Sequence, residues 1–329
     1  MAAIADSIEI PQRTPRIGIL DTARGVALLA MASYHFTWDL EFFGYIEAGT
    51  AETGWLKIYA RTIASTFLFL AGVSLALANT PDIRWRAYGK RLGMIVAAAA
   101  AISLVTFIGM REEWIFFGIL HSIAAASIVG LLFLRLPAAV TLLAAIALAA
   151  AVLVDNVLAP YSLHALFFDA PWLWWVGLSE NLPRSNDYVP LFPWLTPFLF
   201  GLGAAQLALA RGWAPPLARL RTGGSLLARA GRHSLLFYLV HQPVLFGLVY
   251  LLSLVAPAPK PDPTVGYLRQ CQAACVQSGS EALCRSFCQC TLDQLKAQKL
   301  FEPLQSGAIQ ANNNEQIQRI AIQCSAQAQ

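Results

Sequence analysis

A chain of 329 residues that is 57% hydrophobic and only 13% charged is not an ordinary soluble domain, for which about 25% charge is usual. With a mean hydropathy of +0.54, the composition predicts an all-α polytopic membrane helix bundle. The net charge of +4 is small, and no nucleic-acid partner is expected.

Residues 1–15 are polar and Pro-containing and read as a cytoplasmic N-terminal segment. The run from Arg16 to Asp39 follows. It is apolar and long enough to cross a bilayer, yet it carries Asp21, Arg24, His35 and Asp39. At about 100° per residue these four fall on one stripe of a helix, with His35 and Asp39 about 20 Å beyond the first pair. Charged groups inside a membrane are costly and face a bundle interior or a cavity. Asp21 and Arg24 read as a structural ion pair. A cleaved signal peptide is excluded, because its apolar core would have to hold both charges and the run is too long.

Apolar stretches of spanning length are read at 17–40, 58–78, 91–110, 114–134, 137–156, 190–210 and 233–255. The Trp-rich piece 161–178 is broken by Asp169 and Pro171 and reads as interfacial or re-entrant. Basic residues set the orientation. One side has Arg13, Arg16, Arg84, Arg86, Lys90, Arg91, Arg135, Arg211, Arg219, Arg221, Arg229 and Arg232; the other has only Lys57, Arg111 and Arg184. The N-terminus is expected inside and, after seven spans, the C-terminus outside.

All six cysteines lie beyond residue 270, and an oxidising compartment is where such a cluster pairs. The expected domains are therefore 16–256 in the membrane, a Pro-rich linker at 257–266, and a periplasmic cysteine-rich helical domain at 267–329. Cys271-x3-Cys275 and Cys284-x3-Cys288, with Gly279 between, fit a helical hairpin joined by Cys271–Cys288 and Cys275–Cys284. Cys290–Cys324 would then tie back a last helix. Six cysteines allow fifteen pairings, and zinc binding is the alternative, although the tail has no His.

His121 and His241 are also intramembrane, and His is the natural acid or base near neutral pH. His35 with Asp39 four residues on, His121, and His241 with Gln242 are the candidate catalytic and path-lining residues. The cytoplasmic basic residues Arg84, Arg86, Lys90, Arg91 and Arg232, with Arg24, are candidates for holding a phosphate-rich donor; the positive-inside rule alone also explains them. No metal site is expected, and no Walker, Rossmann, HExxH or Gly-x-Ser-x-Gly element is present.

The segments Leu20-Asp-Thr-Ala-Arg-Gly-Val-Ala-Leu-Leu-Ala-Met, Tyr34-His-Phe-Thr-Trp-Asp39, Phe67-Leu-Phe-Leu-Ala-Gly-Val-Ser-Leu-Ala, Phe117-Gly-Ile-Leu-His-Ser-Ile and Ser234-Leu-Leu-Phe-Tyr-Leu-Val-His-Gln-Pro243 occur in this order. Together they resemble the bacterial branch of the heparan-alpha-glucosaminide N-acetyltransferase catalytic-domain family. The resemblance implies transfer of an acetyl group from cytosolic acetyl-CoA to an amino or hydroxyl acceptor, glycan-like or other, on the far side of a bacterial inner membrane. Asp21, Arg24 and Gly25 match its opening motif. His35 stands where the lysosomal enzyme has an Asn, and the loop at 41–57 has no counterpart of that enzyme's catalytic His. On this reading His35, oriented by Asp39, deprotonates the acceptor or briefly carries the acetyl group. His121 and His241, with Gln242, polarise the thioester. The rival readings are a non-catalytic subunit whose tail, 267–329, docks a periplasmic protein, and a transporter of a polar lipid.

Overall fold

The computed structural model describes residues 17–213, 216, 224–259, 262–276, 280–311 and 314–328. The readings placed on 1–15, Arg16, Arg219, Arg221 and Gly279 lie outside the described residues. Contacts divide the chain into two units, one of 17–42 with 46–254 and one of 43–45 with the residues from 255 on. The described residues are all-α, without a strand.

The first unit is a helical bundle: α1 (Gly18–Phe42), α2 (Gly54–Ala78), α3 (Trp85–Gly109), α4 (Ile119–Phe133), α5 (Ala138–Leu153), α6 (Leu191–Ala210), α7 (Leu226–Arg232) and α8 (Ser234–Val255). Five segments are long and apolar enough to cross a membrane: α2, α3, α5 with its extension to Leu158, α6 and α8. The chain is a multi-pass membrane protein. Helix α1 has the length, but its charges lower its apolarity. Helix α4 is apolar but has 15 residues, roughly 22 Å of rise.

That shortness corrects the expected fourth span, 114–134. Backbone groups of Ile115, Phe117 and Gly118 find partners outside a helix. The Ile115 N–H donates to Thr106 Oγ1 at 3.0 Å, Ser103 Oγ donates to the Ile115 carbonyl at 2.7 Å, and the Gly118 N–H donates to His121 Nδ1 at 3.2 Å. Such local partners compete with helix formation. The piece 161–178 forms two short 3₁₀ turns, Leu166–Asp169 and Pro171–Val176. They are anchored by His164, whose ring nitrogens face the Ser179 carbonyl at 2.6 Å and Asp155 Oδ2 at 3.1 Å.

The core gathers on α2 and α6, where Leu68, Ala76, Phe198 and Leu202 are fully buried. Glycines set two close approaches. A Cβ on Gly72 would overlap the Phe198 carbonyl, and one on Gly231 would overlap the Asp21 carbonyl. Small residues of this kind let membrane helices approach backbone to backbone. Close packing of α7 on α1 brings Arg232 and Arg24 to the wall of one chamber.

The second unit contains α9 (Pro263–Cys275), α10 (Glu281–Ala297), α11 (Phe301–Gln305) and α12 (Glu315–Ala328). Disulfides join Cys271–Cys288, Cys275–Cys284 and Cys290–Cys324. This leaves one of the fifteen pairings and no free thiol for zinc. Its small core is Leu292, Leu295, Phe301, Ile317, Ile320 and Cys324.

Candidate active site

Two polar regions lie along α1, separated by the rise from Arg24 to His35, about 16 Å. At the first, Arg24 pairs with Asp21 at 2.8 Å, and its second nitrogen donates to Ser74 Oγ at 2.5 Å. Ser74 in turn donates to the Leu70 carbonyl. Arg24 opens on a chamber of about 560 Å³ whose polar rim is Arg24, Ser74, Arg91, Arg232, His233 and Ser234. Its walls are apolar, with Phe67, Leu70, Ile95, Leu120 and Ile123, and Tyr238 lines it too.

Arg91 is the unusual member of this rim. It is half-buried and makes no hydrogen bond or ion pair among the described residues. Its charged companions on the chamber wall are arginines. A guanidinium carries five donors and no acceptor. Half-buried beside like charge and without a partner among the described residues, it is placed to receive an anion.

The second region joins α1 to α8. Gln242 Nε2 donates to Asp39 Oδ1 at 2.7 Å, and the His35 and His241 rings meet edge-on with centroids 5.0 Å apart. His241 Nδ1 lies 2.7 Å from the Tyr238 carbonyl. A carbonyl only accepts, so Nδ1 carries the hydrogen and Nε2 keeps its lone pair. That Nε2 is buried without a partner, and so are Asp39 Oδ2 and Gln242 Oε1. Asp39 is 0% exposed. All three unsatisfied atoms are acceptors. Tyr238 links the two regions, since it lines the chamber and holds the His241 ring.

The expected residues are therefore only partly brought together. Asp39 bonds Gln242 rather than His35, because at the α1–α8 contact the glutamine amide reaches the carboxylate first. His35 makes no hydrogen bond among the described residues. His121 stands apart from both regions. Its Nδ1 accepts from Gly118, leaving Nε2 to donate to Ser103 Oγ at 3.2 Å, so both nitrogens are used in closing the start of α4. Arg24, Arg91 and Arg232 line the chamber, whereas Arg84 lines a smaller adjoining one. Arg86 and Lys90 are exposed and line neither. No group of three or more His, Cys, Asp or Glu side chains suited to a metal occurs among the described residues.

Two residues escaped sequence reasoning. Tyr238 reads as an ordinary apolar-helix aromatic. Asp187 lies in a loop with no telling spacing, yet its Oδ2 accepts the Ile119 N–H at 3.0 Å and it presses against Gly118. Burial pushes its carboxyl up to about 6, partly offset by that N–H.

These features define a multi-pass membrane protein with a basic chamber and a histidine–carboxylate cluster set along one helix. The chain belongs to the heparan-alpha-glucosaminide N-acetyltransferase family: the model of its catalytic domain matches residues 16–243. The match ends just past His241 and Gln242 and leaves out the cysteine-rich tail. No curated protein matches the chain, and no solved structure does.

Proposed function

We propose that this protein is a membrane acetyltransferase that takes its acetyl group from acetyl-CoA and delivers it to an amino acceptor. The observation that carries the donor assignment is Arg91, a half-buried guanidinium with no partner among the described residues, on a chamber rimmed by two more arginines. The diphosphate of CoA supplies the missing anion, and the apolar walls suit the pantetheine arm. Family membership supports the same donor.

The acceptor side follows from the second region. A cluster whose open positions are a carboxylate oxygen, an amide oxygen and an imidazole lone pair matches the three N–H donors of a primary ammonium better than a hydroxyl. On this reading the ammonium gives one proton to His241 Nε2 and becomes the nucleophile. It attacks the thioester carbonyl; the C–N bond forms and the C–S bond breaks. The second nitrogen-bound proton goes to the departing thiolate, and His241 releases its own to solvent. Asp39 and Gln242 hold the amine, and His35 fixes the His241 ring by edge-on packing. His121 positions the start of α4.

The excess of basic residues on one side supports a cytoplasmic N-terminus and donor entry from the cytoplasm. Between His35 and Phe42 on α1, and His241 and Phe246 on α8, contacts advance in the same direction. Those helices thus run parallel, which carries the C-terminal end of α8 to the side opposite the start of α1. The tail at 267–329, beyond the linker at 257–266, is then periplasmic, in the inner membrane of a bacterium.

Calorimetry on detergent-purified protein tests the donor. Saturable acetyl-CoA binding that Arg91→Ala weakens at least about tenfold is expected, the loss of one charge-assisted contact. No binding by folded wild-type protein would overturn the assignment.

A further inference from the structure

A second cavity of about 170 Å³ adjoins the main chamber, and the two share Arg91 and Ile95. It lies between α2 and α3, where the chain turns from Asn79 to Arg84. Its polar lining is Asn79, Arg84, Tyr88, Arg91 and Ser127. Most of these groups are already engaged. The Asn79 amide donates to the Leu75 carbonyl at 2.9 Å and accepts the Arg84 N–H at 3.2 Å. Ser127 donates to the Ile123 carbonyl at 2.6 Å.

What is left open is almost entirely hydrogen-bond donors. Arg84 Nε is tied to the Ala78 carbonyl at 2.8 Å, which fixes the plane of its guanidinium. Arg84 is an exposed residue at the cavity mouth, and its two terminal nitrogens have no protein partner among the described residues. The Tyr88 hydroxyl is buried without a partner. Arg91, also without a partner among the described residues, lies on the side shared with the main chamber. The remaining wall is apolar, from Leu75, Ala87, Leu92 and Ile95. Among the described residues no carboxylate lines the cavity.

We infer that this side chamber is a pocket for a phosphate monoester, and that it seats the 3′-phosphate of the CoA donor while the main chamber takes the diphosphate and the acyl arm. Two arginines and a phenolic hydroxyl suit a compact dianion with several acceptor oxygens. Of the phosphates of acetyl-CoA, only the 3′-group is a monoester, and it branches from the nucleotide end of the molecule. The shared Arg91 lets one ligand occupy both chambers. The inference rests on the donor reading above and adds which residues recognise which phosphate.

The test compares acetyl-CoA with dephospho-acetyl-CoA on full-length protein in detergent. Wild-type protein should prefer acetyl-CoA by at least about tenfold. Arg84→Ala should erase most of that preference while leaving dephospho-acetyl-CoA affinity unchanged. Tyr88→Phe, which removes only the hydroxyl, should reduce the preference a few-fold. Arg232→Ala should weaken both ligands alike. Adenosine 3′,5′-bisphosphate should compete better than adenosine 5′-monophosphate in wild-type protein but not in Arg84→Ala. If neither thioester binds, the donor reading itself falls. If acetyl-CoA binds but Arg84→Ala and Tyr88→Phe keep the full preference, the side chamber is not its phosphate site. A lipid headgroup would instead appear as tighter association with phosphatidate-containing nanodiscs that Arg84→Ala abolishes at an unchanged thioester preference, and that outcome also overturns the inference.

Discussion

Gln242 Nε2 donates to Asp39 Oδ1 at 2.7 Å, a bond that joins two helices through residues 203 apart in sequence. It holds a fully buried carboxylate in place and leaves the other oxygen open. The neighbouring His241 has its Nδ1 held by the Tyr238 carbonyl, which leaves the buried Nε2 lone pair free. A carboxylate and an imidazole are thereby brought together from opposite ends of the membrane domain in sequence.

On the proposed reading His241 is the base, and removing it removes the proton transfer. His241→Ala should lower acetyl transfer by about 100-fold or more, the usual worth of a positioned general base. Asp39→Asn should lower transfer at least about tenfold, because it keeps an oxygen for Gln242 but puts an N–H donor where the ammonium needs an acceptor. Donor affinity should be unchanged in both. Steady-state rates with a generic primary amine, alongside acetyl-CoA calorimetry, would separate the two effects.

His121 offers a contrast within the same residue type. Both of its nitrogens are occupied, by Gly118 and Ser103. His121→Ala should destabilise the bundle by about 1–2 kcal/mol through two lost hydrogen bonds. Transfer by the folded fraction should fall only a few-fold. Thermal unfolding in detergent set against specific activity would show the split; a hundredfold loss of activity at unchanged stability would contradict it.

Asp187 gives a pH dependence with a definite sign. Its carboxyl is raised to about 6 in the folded protein from 3.8. The folded state therefore holds the proton more tightly than the unfolded state. Stability from this group is fully present below about pH 4 and is lost as pH rises through about 6, by up to about 3 kcal/mol. Asp187→Asn keeps an acceptor for the Ile119 N–H and should flatten that slope. Equilibrium unfolding at several pH values between 4 and 7 is the measurement.

The tail disulfides should rank by loop length. Cys290–Cys324 spans 34 residues and Cys275–Cys284 spans 9. Loop-closure entropy then makes the longer bridge worth about 4 kcal/mol and the shorter about 2.5 kcal/mol. Hydrogen exchange at Leu292 and Leu295 in full-length protein should accelerate more in the Cys290→Ser, Cys324→Ser double variant than in Cys275→Ser, Cys284→Ser.

Much of this was legible in the chain. Hydropathy marked the apolar helices, because in lipid every backbone group must be bonded within its own segment. The i, i+4 cysteines pointed to a stapled hairpin, and the motifs around Asp21, Phe67, Gly118 and His241 gave the family. These are local or periodic signals. The partners of the polar groups were another matter. That Asp39 meets Gln242 rather than His35, that His121 is spent on Gly118 and Ser103, and that Asp187 reaches α4 all depend on which helix faces turn toward each other. Helix packing sets those faces, through contacts such as Gly231 on Asp21 and Gly72 on Phe198. It is decided by the shapes of distant segments, which spacing along one segment does not encode. The sequence by itself determined a membrane bundle with buried ionisable groups; the tertiary structure decided which of those groups are satisfied and which are left open to a ligand.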